Sequence, residues 1–377
     1  MPTSPQLFKC PACGAALEIP TGQKMMKCIY CRSSVIVPET VDSETFAEQS
    51  LDAFASAGRS RAAVGIVVAV SVALLIAGVI GVFVLTKQPQ GGSAEKPFAG
   101  LLSRPFADPV LAFGRKGTGH GMLNDPRYVG VDRDGKIYAG DYGDGRINVF
   151  DAAGKFLRLI SLGKKTYLQG MAAAPDGSLY ICYEGKIHRL DARGGDTLLG
   201  HEDENGHAVY FTSIALGADG SLVAAGHGER IVRFGPDGTA NLVIPQAFSA
   251  VTGDSELDVQ PAVDGLGNIY ALGAFNTLVL KYSPDGKYLD QFGGRSENQA
   301  LGVNEGYFQA PDAIAVDGHG RVFVSDIRGV QVFAANGQFL KFFKVDGVAF
   351  GMAFDLNNDL YVASNKPAIV KLRIQAP

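Results

Sequence analysis

The chain has 377 residues, 46% of them hydrophobic and 19% charged, with a net charge of −4. Those proportions exclude a disordered chain, and without a basic excess there is no nucleic-acid partner to expect. Forty-eight glycines and 18 prolines point to many turns, and so to short strands rather than long helices.

Four of the five cysteines lie within the first 31 residues. Cys10 and Cys13 form one CxxC pair, Cys28 and Cys31 a second, and 14 residues separate them. Two tight turns at that spacing can offer four thiolates to one tetrahedral Zn²⁺. A segment this short buries too little apolar surface to fold unaided, so a metal staple is expected over residues 1–40. Four thiolates close the coordination sphere, which makes this zinc structural and leaves no position for water. A redox pair or two disulfides are the competing readings. The first pair resembles a zinc-ribbon knuckle, CPxCG, whereas the second has Arg32 where glycine would stand. Residues 16–19 and 35–37 are the expected strands.

Residues 41–63 read as a spacer with a short amphipathic helix at 42–57, capped by Asp42 or Ser43 and ended by Gly58. Residues 64–85, VGIVVAVSVALLIAGVIGVFVL, carry no charge and are apolar around the whole helical circumference, which predicts a transmembrane helix. A cleaved signal would begin nearer the amino terminus. Ala69, Ala73, Ala77 and Gly81 fall four apart and offer a seam for homo-oligomerisation. Basic residues flank both ends, so charge does not orient the helix. Metal-binding thiols require a reducing compartment, which puts residues 1–63 in the cytosol and the rest outside the cell membrane. Residues 86–108 read as a flexible linker.

Residues 109–377 repeat one pattern: an apolar run, a turn rich in Asp and Gly, and a second apolar run. The turns centre on Gly135, Gly177, Gly220, Gly267, Gly320 and Asn358, separated by 42, 43, 47, 53 and 38 residues. That period matches one four-stranded propeller blade, so the expected fold is mainly β, a six-bladed β-propeller. The last copy accounts for three strands only, and residues 109–113 are expected to supply the fourth and close the ring.

The repeats resemble the NHL-repeat family of six-bladed propellers. The resemblance is carried by residues 126–132, by Asp141 with the run from Arg146 to Phe150, and by residues 306–317 with Asp326; it is looser in the second, third and sixth copies. It implies a binding or sensing platform, although a minority of related propellers are lyases or lactonases.

Ligands bind where loops converge, and the longest expected loops are 194–211, 246–258 and 293–310. Candidate ligand-binding residues are Asp141, Arg146, His201, His207, Asp254, Arg295, Asp326 and Arg328. The slot after each second strand holds Asp141, Tyr183, Gly226, Gly273, Asp326 and Ser364, too few carboxylates for a channel metal, so local bonding to turn amides is the simpler role. His120, His207 and His227 could converge on one face as in zinc-dependent lyases, but they lack ligand spacing. No nucleophile or phosphate-binding motif occurs, and Cys182 is expected to be a buried small hydrophobe. The sequence therefore predicts a membrane-anchored propeller that binds a protein, peptide or glycan, with a cytosolic protein as partner of the zinc ribbon. The alternative is an extracytoplasmic metal-dependent lyase or lactonase-like hydrolase working in the channel.

Overall fold

The repeated runs form six four-stranded antiparallel sheets in the computed structural model, which describes residues 7–9, 16–18, 25–27, 34–36, 105–163, 166–295, 305–366 and 368–375. The innermost strands are Pro126–Val131, Leu168–Ala173, Phe211–Leu216, Val259–Val263, Ala313–Val316 and Ala349–Phe354. Each contacts the next, and the sixth contacts the first, so the sheets are blades of a closed six-bladed propeller. Blade 6 takes its outer strand, Ala107–Phe113, from the start of the domain and pairs it with Ile369–Ile374. The closing strand thus begins two residues earlier than expected.

All six expected turn centres have positive φ, from 63° at Asn358 to 82° at Gly267, which explains glycine or asparagine there. Most second strands are buried along their whole length because blades cover both faces; Ile137–Asp141 and Val322–Asp326 are examples. Such strands read as continuous apolar runs rather than alternating ones. The core lies between blades. Phe211, Phe234 and Leu222 of blade 3 pack on Tyr180 and Ile187 of blade 2, and the other five interfaces repeat the arrangement.

Blade 2 departs from the expectation. Asp196–Leu199 pairs with strand Lys186–Leu190, inside what the sequence suggested was a loop from 194. The strand is short and three of its four residues are exposed, so it carries little apolar pattern.

The chain divides into two compact units, Met1–Pro97 and Phe98–Pro377. In the first, Leu7–Lys9 pairs with Ala16–Glu18 and Met25–Lys27 with Ser34–Ile36, both antiparallel. The four cysteines, the spacer and the apolar segment 64–85 lie outside the described residues. Among those described, no helix is long and apolar enough to cross a membrane.

Candidate functional site at the channel mouth

Antiparallel alternation puts the loops entering each innermost strand on the same face as the loops joining second and third strands. In four blades the innermost strand begins with an extra residue that lacks a partner on the second strand: Arg127, Gln169, Thr212 and Phe350. Such bulges re-aim a side chain, here at the channel entrance. Blade 5 places Asp312 at the matching position, its N–H bonded to the Ser325 carbonyl at 3.1 Å. Blade 4 has no bulge and contributes Asp258 and Gln260 on either side of Val259. At the inner-turn end, opposite the mouth, the channel holds an open cavity of about 370 Å³, lined in every blade by a small residue at one position: Gly130, Ala172, Ala215, Ala262, Ala315 and Ala353.

The mouth mixes charge and aromatic surface. The Arg127 guanidinium lies 4.1 Å from the Tyr142 ring centroid and 5.0 Å from that of Phe350, and pairs with Asp125 at 3.2 Å. Asp258 Oδ1 accepts from Gln260 Nε2 at 2.8 Å, and Gln260 Oε1 accepts from Ser213 Oγ at 2.6 Å. Burial pushes the Asp312 carboxyl up to about 6; the Asp258 charge adds to this and Arg127 opposes it. Burial also raises Asp258, against the Gln260 hydrogen bond, with Glu256 adding to the rise. The Tyr128 hydroxyl beside them is raised too, chiefly by burial. Two carboxyls that hold protons more tightly than usual, facing one opening, can accept a cation, bind hydroxyls or exchange a proton.

Two buried glutamates fix the loop that delivers Asp258. Glu229 accepts from the backbone N–H of Ser249 at 2.8 Å and of Glu256 at 2.6 Å. Glu256 in turn accepts from the N–H groups of Leu257, Asp258, Phe275 and Asn276, and from the Asn276 amide. The slot residue of blade 4 is Gly273, where a Cβ would stand 2.5 Å from Glu256 Oε2. Glycine there makes room for a carboxylate arriving from the loop.

The candidates picked from sequence are placed elsewhere. Buried Asp141 accepts from the N–H groups of Asn124 and Asp125 at 2.9 and 3.1 Å, and lies 3.7 Å from Arg146. Burial raises its carboxyl to about 6. Arg146 donates to the Gly119 carbonyl. Asp326 accepts from the backbone N–H groups of Gln309 and Arg328. The His207 imidazole is exposed, 3.7 Å from Asp203. His201 and Asp254 join their loops through backbone groups, and Arg295 forms a backbone bridge to Phe308. Of these eight, the structure brings together four, as the pairs Asp141 with Arg146 and Asp326 with Arg328. His120 stacks on Phe156 and His227 on Tyr210. Among the described residues no group of three or more His, Cys, Asp or Glu gathers to hold a metal. Sequence reasoning misses Arg127 and Asp312, yet a signal exists: they stand five residues before the first residue of the inner turn, Asp132 or Asp317, where a channel-lining strand should be apolar.

No protein-family model and no curated protein matches the chain. Solved structures do. A gluconolactonase from Xanthomonas campestris is 18% identical, with a TM-score of 0.51 over 67% of this chain and 88% of that one. A putative gluconolactonase is 17% identical, with a TM-score of 0.53 over 71% and 93%. A streptogramin B lyase is 13% identical, with a TM-score of 0.50 over 67% and 94%. At such identities the likeness shows the fold alone.

Proposed function

We propose that the chain is a single-pass membrane protein whose propeller binds a protein, peptide or glycan at the channel mouth on the outer side. The observation that carries the binding reading is the convergence of Asp258, Asp312, Gln260 and an aromatic-clamped Arg127 on one opening, with no three-residue metal cluster among the described residues. The apolar run 64–85 supports the anchor, and homo-oligomerisation along its small residues is part of the same reading. On the cytosolic side Cys10, Cys13, Cys28 and Cys31 hold a structural Zn²⁺ and present the ribbon to a protein partner. The two short hairpins support this, because each CxxC falls in the segment that connects a strand pair. The propeller repeats are of the NHL-like kind.

The test uses the full chain in detergent, applied to arrays of peptides and oligosaccharides. Wild type retains a ligand class that an Asp258→Asn, Asp312→Asn double variant loses. Metal analysis of the same sample gives one zinc per chain, lost on Cys10→Ser with Cys28→Ser, and protease added to intact cells cleaves the propeller.

One observation favours a hydrolase as a second reading: a half-buried carboxyl raised to about 6 beside another carboxyl can act as a general acid at neutral pH. Absence of any retained ligand, together with lactone turnover abolished by Asp312→Asn, would replace the binding reading with that one.

A further inference from the structure

Apart from those on the outer strands, exposed large apolar side chains are unevenly divided between the two ends of the propeller. Tyr167, Tyr210, Leu257, Phe275, Tyr307 and Ile327, each between 40% and 75% exposed, all lie on loops of the mouth face. The inner turns at the opposite end expose Leu266 and Leu356. Rings and aliphatic chains spaced around one opening form a surface that water solvates poorly and a partner can cover.

The centre of that surface carries uncompensated negative charge. Arg127 is committed: its Nε and Nη2 both reach Asp125, at 3.3 and 3.2 Å, and its planar faces lie against Tyr142 and Phe350. Asp258 receives one side-chain hydrogen bond, from Gln260, and no cation pairs with it among the described residues. The Asp312 carboxylate receives no hydrogen bond and forms no ion pair there; its backbone N–H alone is engaged. Loops thus hold two carboxylates at an aromatic-rimmed opening without supplying the donors that would neutralise them, although buried Glu256 nearby has both oxygens filled.

We infer that the mouth face docks a protein or peptide segment that presents a lysine or arginine, whose cationic head enters the opening between Asp258 and Asp312 while flanking apolar residues cover the exposed rim. This deepens the binding reading above and rests on it. Charge complementarity selects this occupant. A lysine ammonium or arginine guanidinium supplies the missing donors, and its methylene stem suits an entrance rimmed by exposed rings such as Tyr167, Tyr210 and Tyr307. A neutral glycan would stack on the rings and donate hydroxyl hydrogen bonds to the carboxylates, but would bring no positive charge to offset theirs.

The full chain in detergent is titrated with fluorescent decapeptides of apolar flank and one central residue: lysine, arginine, norleucine or glutamate. Neutral oligosaccharides form a parallel series. Lysine and arginine peptides are expected to bind at least about tenfold more tightly than the norleucine peptide, and the glutamate peptide not at all. Asp312→Asn and Asp258→Asn each reduce that preference about tenfold, and the preference shrinks between about 50 and 300 mM salt. Asp312→Asn removes no side-chain hydrogen bond or ion pair among the described residues, so a retained or raised melting temperature shows that its effect is not unfolding. Equal binding of the lysine and norleucine peptides, or a lysine preference untouched by Asp312→Asn, overturns the cation inference and leaves the binding reading standing. Binding confined to oligosaccharides does the same. Binding of neither series overturns both.

Discussion

At the scale of single residues, one task is done by different positions in different blades. Each loop entering an innermost strand has backbone N–H groups that need acceptors. Blade 1 supplies Asp141 from the second strand and blade 5 supplies Asp326. Blade 6 uses Asn365, whose Oδ1 accepts from Val348 N–H. Blade 4 has glycine in the slot and draws on Glu256, which sits in the loop itself. Replacing Glu256 by alanine strands five donors around a buried site, and the expected loss is about 2–4 kcal/mol in a denaturant titration. Glu204, exposed and paired among the described residues with Arg230, is the control, and its substitution by alanine is expected to leave the denaturant midpoint unchanged. The carboxyl of Asp312 gives a prediction of opposite sign. Its folded pKa, about 6, lies above the ordinary 3.8, so the proton is held more tightly in the native state. The stability from that proton is complete below pH 3.8 and is lost as pH rises through 6. Asp312→Asn is therefore expected to melt with wild type at about pH 3.5 and about 2–4 °C higher at about pH 7.5, read by calorimetry. A variant less stable than wild type near neutral pH would mean that Asp312 has a charged partner in the native state.

At the scale of strands and turns, the sequence is most legible where backbone geometry dictates residue type. Positive φ at the inner hairpins selects glycine or asparagine, and those six positions suffice to count the blades from the sequence. The bulges are not legible, because a residue that drops out of pairing leaves no mark on composition. Arg127 is marked only by its charge at a position where a channel-lining strand should be apolar, while Asp141 and Asp326, buried and bonded to amides, stand out as candidate ligands. The blade 4 slot shows how a glycine can be required without positive φ. A Cβ at Gly273 would stand 2.5 Å from Glu256 Oε2 and 2.6 Å from the Phe248 ring, whereas one at Gly265 would meet nothing within 4 Å. Gly273→Ala is expected to cost about 1–3 kcal/mol, and Gly265→Ala to fall within about 0.5 kcal/mol. Thermal melts of the two variants side by side check this; equal melts would show that the blade 4 loop yields to an added methyl group.

For the whole propeller, stability depends on joining ends far apart in sequence. Ala107–Phe113 binds the edge of Ile369–Ile374 through a six-pair register, so the ring is closed by hydrogen bonds and by packing of Phe113 against the interface between blades 6 and 1. Without that strand, Ile369–Ile374 becomes an unpaired edge with apolar residues beside it, the kind of edge that pairs with another chain. Deleting residues 107–113 from the full chain is expected to abolish the single cooperative melt and to produce oligomers on size exclusion. Deleting residues 88–94, which the sequence assigns to the linker, removes an equal length and is expected to leave the melt unchanged, since shortening a flexible tether alters closure entropy only by roughly (3/2)RT times the logarithm of the length ratio. Identical melts for the two deletions would mean that five complete blades and a three-stranded sixth hold the ring unaided, and that the distant strand contributes order at one edge rather than integrity to the whole.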